Sequence, residues 1–215
     1  MKKTKAILMA LCAVLLVAAS VMGTLAYLTS TDTVTNTFTV GKVAITLDEA
    51  PVDANGQKTN GPRRTSNEYH LLPGHRYDKD PTVHVAADSE DCYLFVKVVN
   101  EIADIEAPTT IANQMTANGW AVVDPVKGIY VYGPAADPTP VSAGQDKKVF
   151  DNFTILGTVT NDDLAGREGS EDNGVTIPPK PGYKDATIVV TAYAVQADGF
   201  ANKTAAEIWT AASFT

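Results

Sequence analysis

From Thr29 to Thr39 every odd position is threonine, and Leu28, Val34, Phe38 and Val40 stand among the even positions between and after them. A β-strand sends odd and even residues to opposite faces, so this pattern predicts a strand with one threonine face and one apolar face. β-Branched residues favour that conformation. At about 3.3 Å per residue, the segment from Tyr27 to Val40 reaches roughly 45 Å, well beyond a common strand of about 5–6 residues. A ribbon that long need not be filled by its own domain; the alternative is that it is the first strand of its own sandwich.

The same period of two continues downstream. Gly41-Lys42 reads as a turn, and Val43, Ile45 and Leu47 alternate with polar residues as a second strand, forming a hairpin with the first. Residues 51–67 lack periodicity and read as loop. Leu71-Leu72-Pro73-Gly74 supplies a tight turn, and 77–87 reads as a strand, with Pro81 marking an edge or bulge. Cys92–Asn100 is apolar on both faces apart from Lys97, as a central strand is. Thr109 or Thr110 caps a short helix with Ile111, Ala112 and Met115 on its apolar side and Gly119 past its end. Residues 120–123 and 129–132 pair around a turn, and 147–156 forms another strand. Residues 161–182 read as loop. Thr187–Gln196 is a second strand with two apolar faces, and Thr204 with Glu207 makes a capping box for a last helix carrying Ile208 and Trp209. Many short strands and one or two short helices predict an all-β, jelly-roll-like antiparallel sandwich. The expected organisation is a leader over 1–26, a first or donor strand over 27–40, and one sandwich domain over 41–215.

The leader has Lys2, Lys3 and Lys5 ahead of an uncharged apolar run over 6–22, with Thr24-Leu25-Ala26 at its end. This is the form of a secretory signal peptide, with cleavage expected between Ala26 and Tyr27; a retained membrane helix is the alternative. Leu11 before Cys12 is too large for a lipid-attachment site. Cleavage removes three of 17 basic residues and none of 25 acidic ones, taking the net charge from -8 to -11. That charge argues against nucleic acid and anionic membranes as partners, so membrane contact is expected only before cleavage. Cys92 is then the sole cysteine, and its apolar neighbours mark it as a core thiol.

Chemistry is sparse. His70, His75 and His84 do not follow a zinc-ligand spacing, and His84 alternates outward from two valines. No nucleophile elbow, phosphate loop or dinucleotide fingerprint occurs. Asp162, Asp163, Glu168, Glu171 and Asp172 gather five carboxylates without the spacing of a calcium loop, and read as a solvated acidic segment with calcium as the alternative. No cofactor is implied, and the chain does not read as an enzyme. The end at Ala212-Ser213-Phe214-Thr215 has no wall-sorting signal.

The join Gly23-Thr24-Leu25-Ala26-Tyr27-Leu28-Thr29, followed by Asn36-Thr37-Phe38-Thr39-Val40-Gly41 and Val43-Ala44-Ile45-Thr46-Leu47, resembles the N-terminal signature of the TasA/camelysin family. Leu72-Pro73-Gly74, Tyr77-Asp78-Lys79-Asp80, Tyr93–Val98, Ala192–Ala197 and the helix with Trp209 are similar to that family more weakly. The resemblance implies a jelly roll, cleavage by a SipW-type signal peptidase, and a place in the extracellular biofilm matrix or on the surface of a bacterium. It also implies head-to-tail homopolymers in which the freed N-terminal segment adds to a sheet of the next subunit, with an accessory fibre subunit as a further partner. Tyr27, Leu28, Val34, Phe38 and Val40 are then the polymerisation residues, with main-chain hydrogen bonds giving affinity and side chains filling pockets. Contacts that do not close produce filaments. The peptidase activity ascribed to camelysins is not carried over, because no zinc-binding His pair is present. The alternative is a secreted adhesin or carbohydrate-binding sandwich using Tyr69, Tyr130, Tyr132 and Tyr183.

Overall fold

The computed structural model describes residues 5, 7, 9, 11–15, 41–166, 168–172, 175–178 and 180–214, with the backbone alone for 170–172 and 175–177. The chain divides into Met1–Val40 and Gly41–Thr215. In the first unit, residues 11–15 are helical. The opening strand over 27–40, and its hairpin with Val43–Leu47, lie outside the described residues.

Every strand ladder described in the second unit is antiparallel, as the alternation predicts, and its helices are few and short. Its elements run β1 (Ile45–Asp48), β2 (Arg76–Asp78), β3 (Thr82–Val85), β4 (Cys92–Asn100), α1 (Ile111–Ala117), β5 (Trp120–Asp124) and β6 (Ile129–Tyr132). Then follow β7 (Asp146–Lys148), β8 (Asn152–Thr154), α2 (Asn161–Ala165), β9 (Ser170–Asp172), β10 (Val175–Ile177), β11 (Ile188–Gln196) and α3 (Ala205–Ala211). The main sheet has the order β11-β4-β6-β5, a second has β1-β3-β7, and β2-β8 and β9-β10 form two-stranded ladders.

β4 is apolar on both faces because its sheet is covered on both. Cys92, Leu94, Val96 and Val98 enter a core with Val83, Val85, Trp120, Phe150 and Ile155. Tyr93 and Phe95 point the other way, where Ile129 and Val131 join them beneath Ala205 and Ile208 of α3. Removing both rows of side chains from water is the main source of stability, at roughly 25 cal/mol per Å² of apolar surface. α3 starts at the capping box foreseen for it: Thr204 Oγ1 accepts from Glu207 N, and the Glu207 side chain accepts from Thr204 N at 2.8 Å.

Two strands read as single are each divided. The segment 77–87 becomes β2 and β3, and 147–156 becomes β7 and β8, because Val149 and Phe150 are consecutive and both fully buried. A flat strand cannot send neighbouring side chains to one side. The register survives the bend: Asp78 stands opposite Asn152 and Thr82 opposite Lys148. Lys79 N to Asp151 O (3.1 Å) and Val149 N to Pro81 O (2.8 Å) bridge the interval. Pro81 thus sits at a corner of one continuous ladder.

Two further corrections concern the helices. α1 buries Ile111 and Met115 but leaves Ala112 exposed, since Ala112 falls off the seam those two define. The stretch 161–182, read as loop, contains α2 and the β9-β10 hairpin; Thr160 caps α2 through a box with Asp163, giving the second unit a third short helix among its described residues.

Candidate functional site

The densest polar cluster sits at the ladder corner, where residues 51–67 cross the bend as a strap. Arg63 is its centre. Its Nη2 donates to Asp48 O (3.1 Å), Asp80 O (2.9 Å) and Thr82 Oγ1 (3.1 Å), its Nη1 to Asp80 Oδ2 (3.2 Å), and its Nε to the Asp48 carboxylate. Asp80 also accepts from Ala50 N at 2.7 Å and Lys58 Nζ at 2.9 Å. Burial raises the Asp80 pKa, but these donors outweigh it and hold the carboxyl below its ordinary value. Alongside, Lys79 Nζ donates to Glu49 Oε2 at 2.6 Å and Asn67 Nδ2 to Glu49 Oε1 at 2.9 Å. The strap therefore satisfies backbone groups that the bend frees from the ladder. A cavity of about 150 Å³ opens beside it, lined in part by Lys58, Arg76, Lys79, Asp80 and Asp151. Its cations are matched to carboxylates, including Arg76 with Asp78 and Lys148 with Asp151. The chemistry on offer is that of a clamp.

The three histidines occupy separate places. His84 lies on the outer face of β3 between two carboxylates, with Nδ1 2.7 Å from Asp146 Oδ1 and Nε2 2.9 Å from Asp48 Oδ1. Partial burial lowers its pKa, yet the two carboxylates outweigh that and raise it above the ordinary value. His75 Nε2 meets Asn55 O at 2.8 Å, and His70 O accepts from Tyr77 Oη at 2.6 Å. Among the described residues no His, Cys, Asp and Glu side chains are grouped to hold a metal ion. In the acidic segment, Asp163 caps α2 and pairs with Lys180; the side chains of Glu171 and Asp172 lie outside the described residues. Cys92 is fully buried, and burial pushes its thiol up to about 11.

The four tyrosines do not form one platform. Tyr69 packs edge-on against Tyr77 and Phe153 and donates to Asp78 O. Tyr132 lies against Trp120 and under Lys147 Nζ, Tyr183 donates to the Asp104 carboxylate, and Tyr130 is half-buried.

The sheet borders differ sharply. β7 is three residues long and carries Lys147 and Lys148. β5 is broken by an irregularity between Val122 and Asp124. β1 is four residues long and ends in the clamped Asp48. β11 is nine residues long without Pro, Gly or any charge, and among the described residues only β4 pairs with it. Its inward residues Ile188, Val190, Ala192 and Ala194 are only partly buried where they pack on the core, as are Val43, Ile45 and Leu47. On its outer face Val189, 47% exposed, stands opposite Val99, 44% exposed.

The sequence-derived site residues Ala26, Tyr27, Leu28, Val34, Phe38 and Val40 lie outside the described residues. The clamp was missed by sequence reading. Its one signal is Arg63-Arg64 in a segment flanked by acidic Asp48-Glu49 and Asp78–Asp80, but partners 15–30 positions apart leave no local pattern. No helix among the described residues is long and apolar enough to cross a membrane. Comparison with family models, curated proteins and solved structures found no match to this chain.

Proposed function

We propose that this chain is a non-enzymatic structural subunit of an extracellular fibre of the biofilm-matrix kind, with a jelly-roll body. It is secreted, cut after Ala26 by a SipW-type signal peptidase, and joined head to tail when the segment 27–40 of one copy adds to a sheet of the next. One observation carries the reading: a ribbon of alternating threonines, with Leu28, Val34, Phe38 and Val40 on its other face, precedes a unit that encloses two apolar cores of its own. While the apolar run over 6–22 holds the N-terminus at a membrane, the ribbon cannot reach a neighbour; cleavage is therefore the trigger. Strand addition satisfies a row of backbone groups on both partners at once, so it needs no deep pocket. Each subunit gives one strand and takes one, which extends the chain without closing it.

The test compares a chain beginning at Tyr27 with one beginning at Val43 by light scattering across a concentration series. The first is expected to grow into particles of rising mass and the second to stay monomeric. Equal behaviour of the two refutes the mechanism.

A further inference from the structure

The β-ladder between β4 and β11 fixes which way each backbone group points. At one end Glu101 N donates to Thr187 O at 3.0 Å, and at the other Ala197 N donates to Asp91 O at 2.8 Å. Both are opposed pairs of the same register, in which Ile188 faces Asn100 and Gln196 faces Cys92. In an antiparallel pair, hydrogen-bonded positions alternate with those whose N–H and C=O point away. Odd-numbered residues of β11 therefore bond to β4. Ile188, Val190, Ala192, Ala194 and Gln196 turn their N–H and C=O to the side away from β4, where no described residue pairs with them, and the side chains of the first four are the partly buried row facing the core.

Natural sheets protect a border of this kind with Lys, Pro, a bulge or short length. β7 and β5 show such devices, and β1 is short and tied down by Arg63. β11 shows none of them over nine residues. We infer that the edge of β11 away from β4, which no described residue pairs with, is the surface that receives residues 28–40 of a second copy, an inference that rests on the assembly reading above.

Three features of the chain point to that occupant. Thirteen residues at about 3.3 Å each span roughly 43 Å, enough to run the length of nine-residue β11 with residues to spare. Residues 28–40 carry a single charge, Asp32, and β11 carries none, so the pairing brings no like charges together. The alternation also matches: a strand laid on β11 directs one set of side chains inward, beside Ile188, Val190, Ala192 and Ala194, where Val34, Phe38 and Val40 extend the half-covered apolar row. Its threonines then continue the outer face, where Thr191 is already exposed.

The leader-free chain beginning at Tyr27 provides the test. Amide hydrogen exchange is compared between dilute and assembled protein, and the variant Ala192→Pro is assayed for filaments by negative-stain microscopy. Proline at 192 removes an N–H that β4 does not use and places a ring on the border away from β4, a substitution that edge strands tolerate. The inference expects exchange at Ile188, Val190, Ala192, Ala194 and Gln196 to slow about tenfold or more on assembly, with loss of filaments in the variant. Filaments whose β11 amides exchange as fast as in dilute protein overturn it while leaving assembly by strand addition standing, with the acceptor elsewhere. Amides already protected at every dilution show that the chain's own segment occupies the edge, and overturn it too. Absence of filaments from the unmodified chain removes both readings. Should the variant fail to fold, the exchange comparison decides alone.

Discussion

The Lys79–Glu49 pair allows a quantitative test of what holds the strap to the corner. Lys79 Nζ lies 2.6 Å from Glu49 Oε2, and the two side chains are 10% and 5% exposed. Lys79→Met keeps much of the apolar stem and removes the charge, leaving the Glu49 carboxylate with the Asn67 Nδ2 donor. Removing one partner of a buried pair strands the other charge in poor solvent, which costs about 3–5 kcal/mol. For a unit of this size each kcal/mol moves Tm by about 2–4 °C, so a loss on the order of 10 °C is expected. Glu49→Leu is expected to cost a similar amount. The double variant leaves no charge unpaired and is expected to lie within about 1–2 kcal/mol of the parent, giving a coupling of several kcal/mol in a double-mutant cycle. Urea denaturation of the four proteins at one pH measures this. Single variants costing less than about 1 kcal/mol, the range of exposed pairs, refute the claim that the corner is held by desolvated charge. Additive losses in the double variant refute it equally.

Three further outcomes follow from the same geometry. His84 has a folded pKa above its unfolded value because of Asp48 and Asp146, so its contribution is complete below about pH 6.5 and is lost as pH rises through the folded pKa. Denaturation at pH 6 and pH 8 should show a decline of order 0.5 kcal/mol that His84→Gln abolishes, and an equal decline in both proteins contradicts the assignment. Gly128 turns β5 into β6 at φ +68°, where an added Cβ would lie 2.2 Å from Val98 O; Gly128→Ala is expected to cost roughly 2–3 kcal/mol by thermal melting, and a neutral effect counts against the turn as drawn. Cys92, buried with a thiol pushed up to about 11, should react with a thiol reagent only at the rate of unfolding; fast labelling of native protein contradicts its burial.

Elements governed by neighbours in sequence were readable, and those governed by distant partners were not. β4 declared itself through a nine-residue run apolar on both faces apart from Lys97, and α3 through Thr204 and Glu207 three positions apart. The corner at Pro81 was half visible, because proline marks a disturbed ladder. Only burial of both Val149 and Phe150 shows that the opposite strand bends with it. α2 was hidden in an acidic, glycine-rich stretch whose polar composition masked the Thr160 cap. β11 reads in sequence like a second central strand. Its outer face is covered toward one end by Trp209 and Phe214 against Tyr193, which explains the apolar residues there, while its place at the border of the sheet depends on topology that no local pattern encodes. The clamp joins Asp48, Arg63 and Asp80 over long separations and had no periodic signal at all.

Negative-stain microscopy of the leader-free chain over a range of concentrations, with its N-terminus established by mass spectrometry, measures the central claim most directly. Protein beginning at Tyr27 should form filaments of repeating subunits above a threshold concentration. Discrete single particles at every concentration, from protein that demonstrably begins at Tyr27, contradict it.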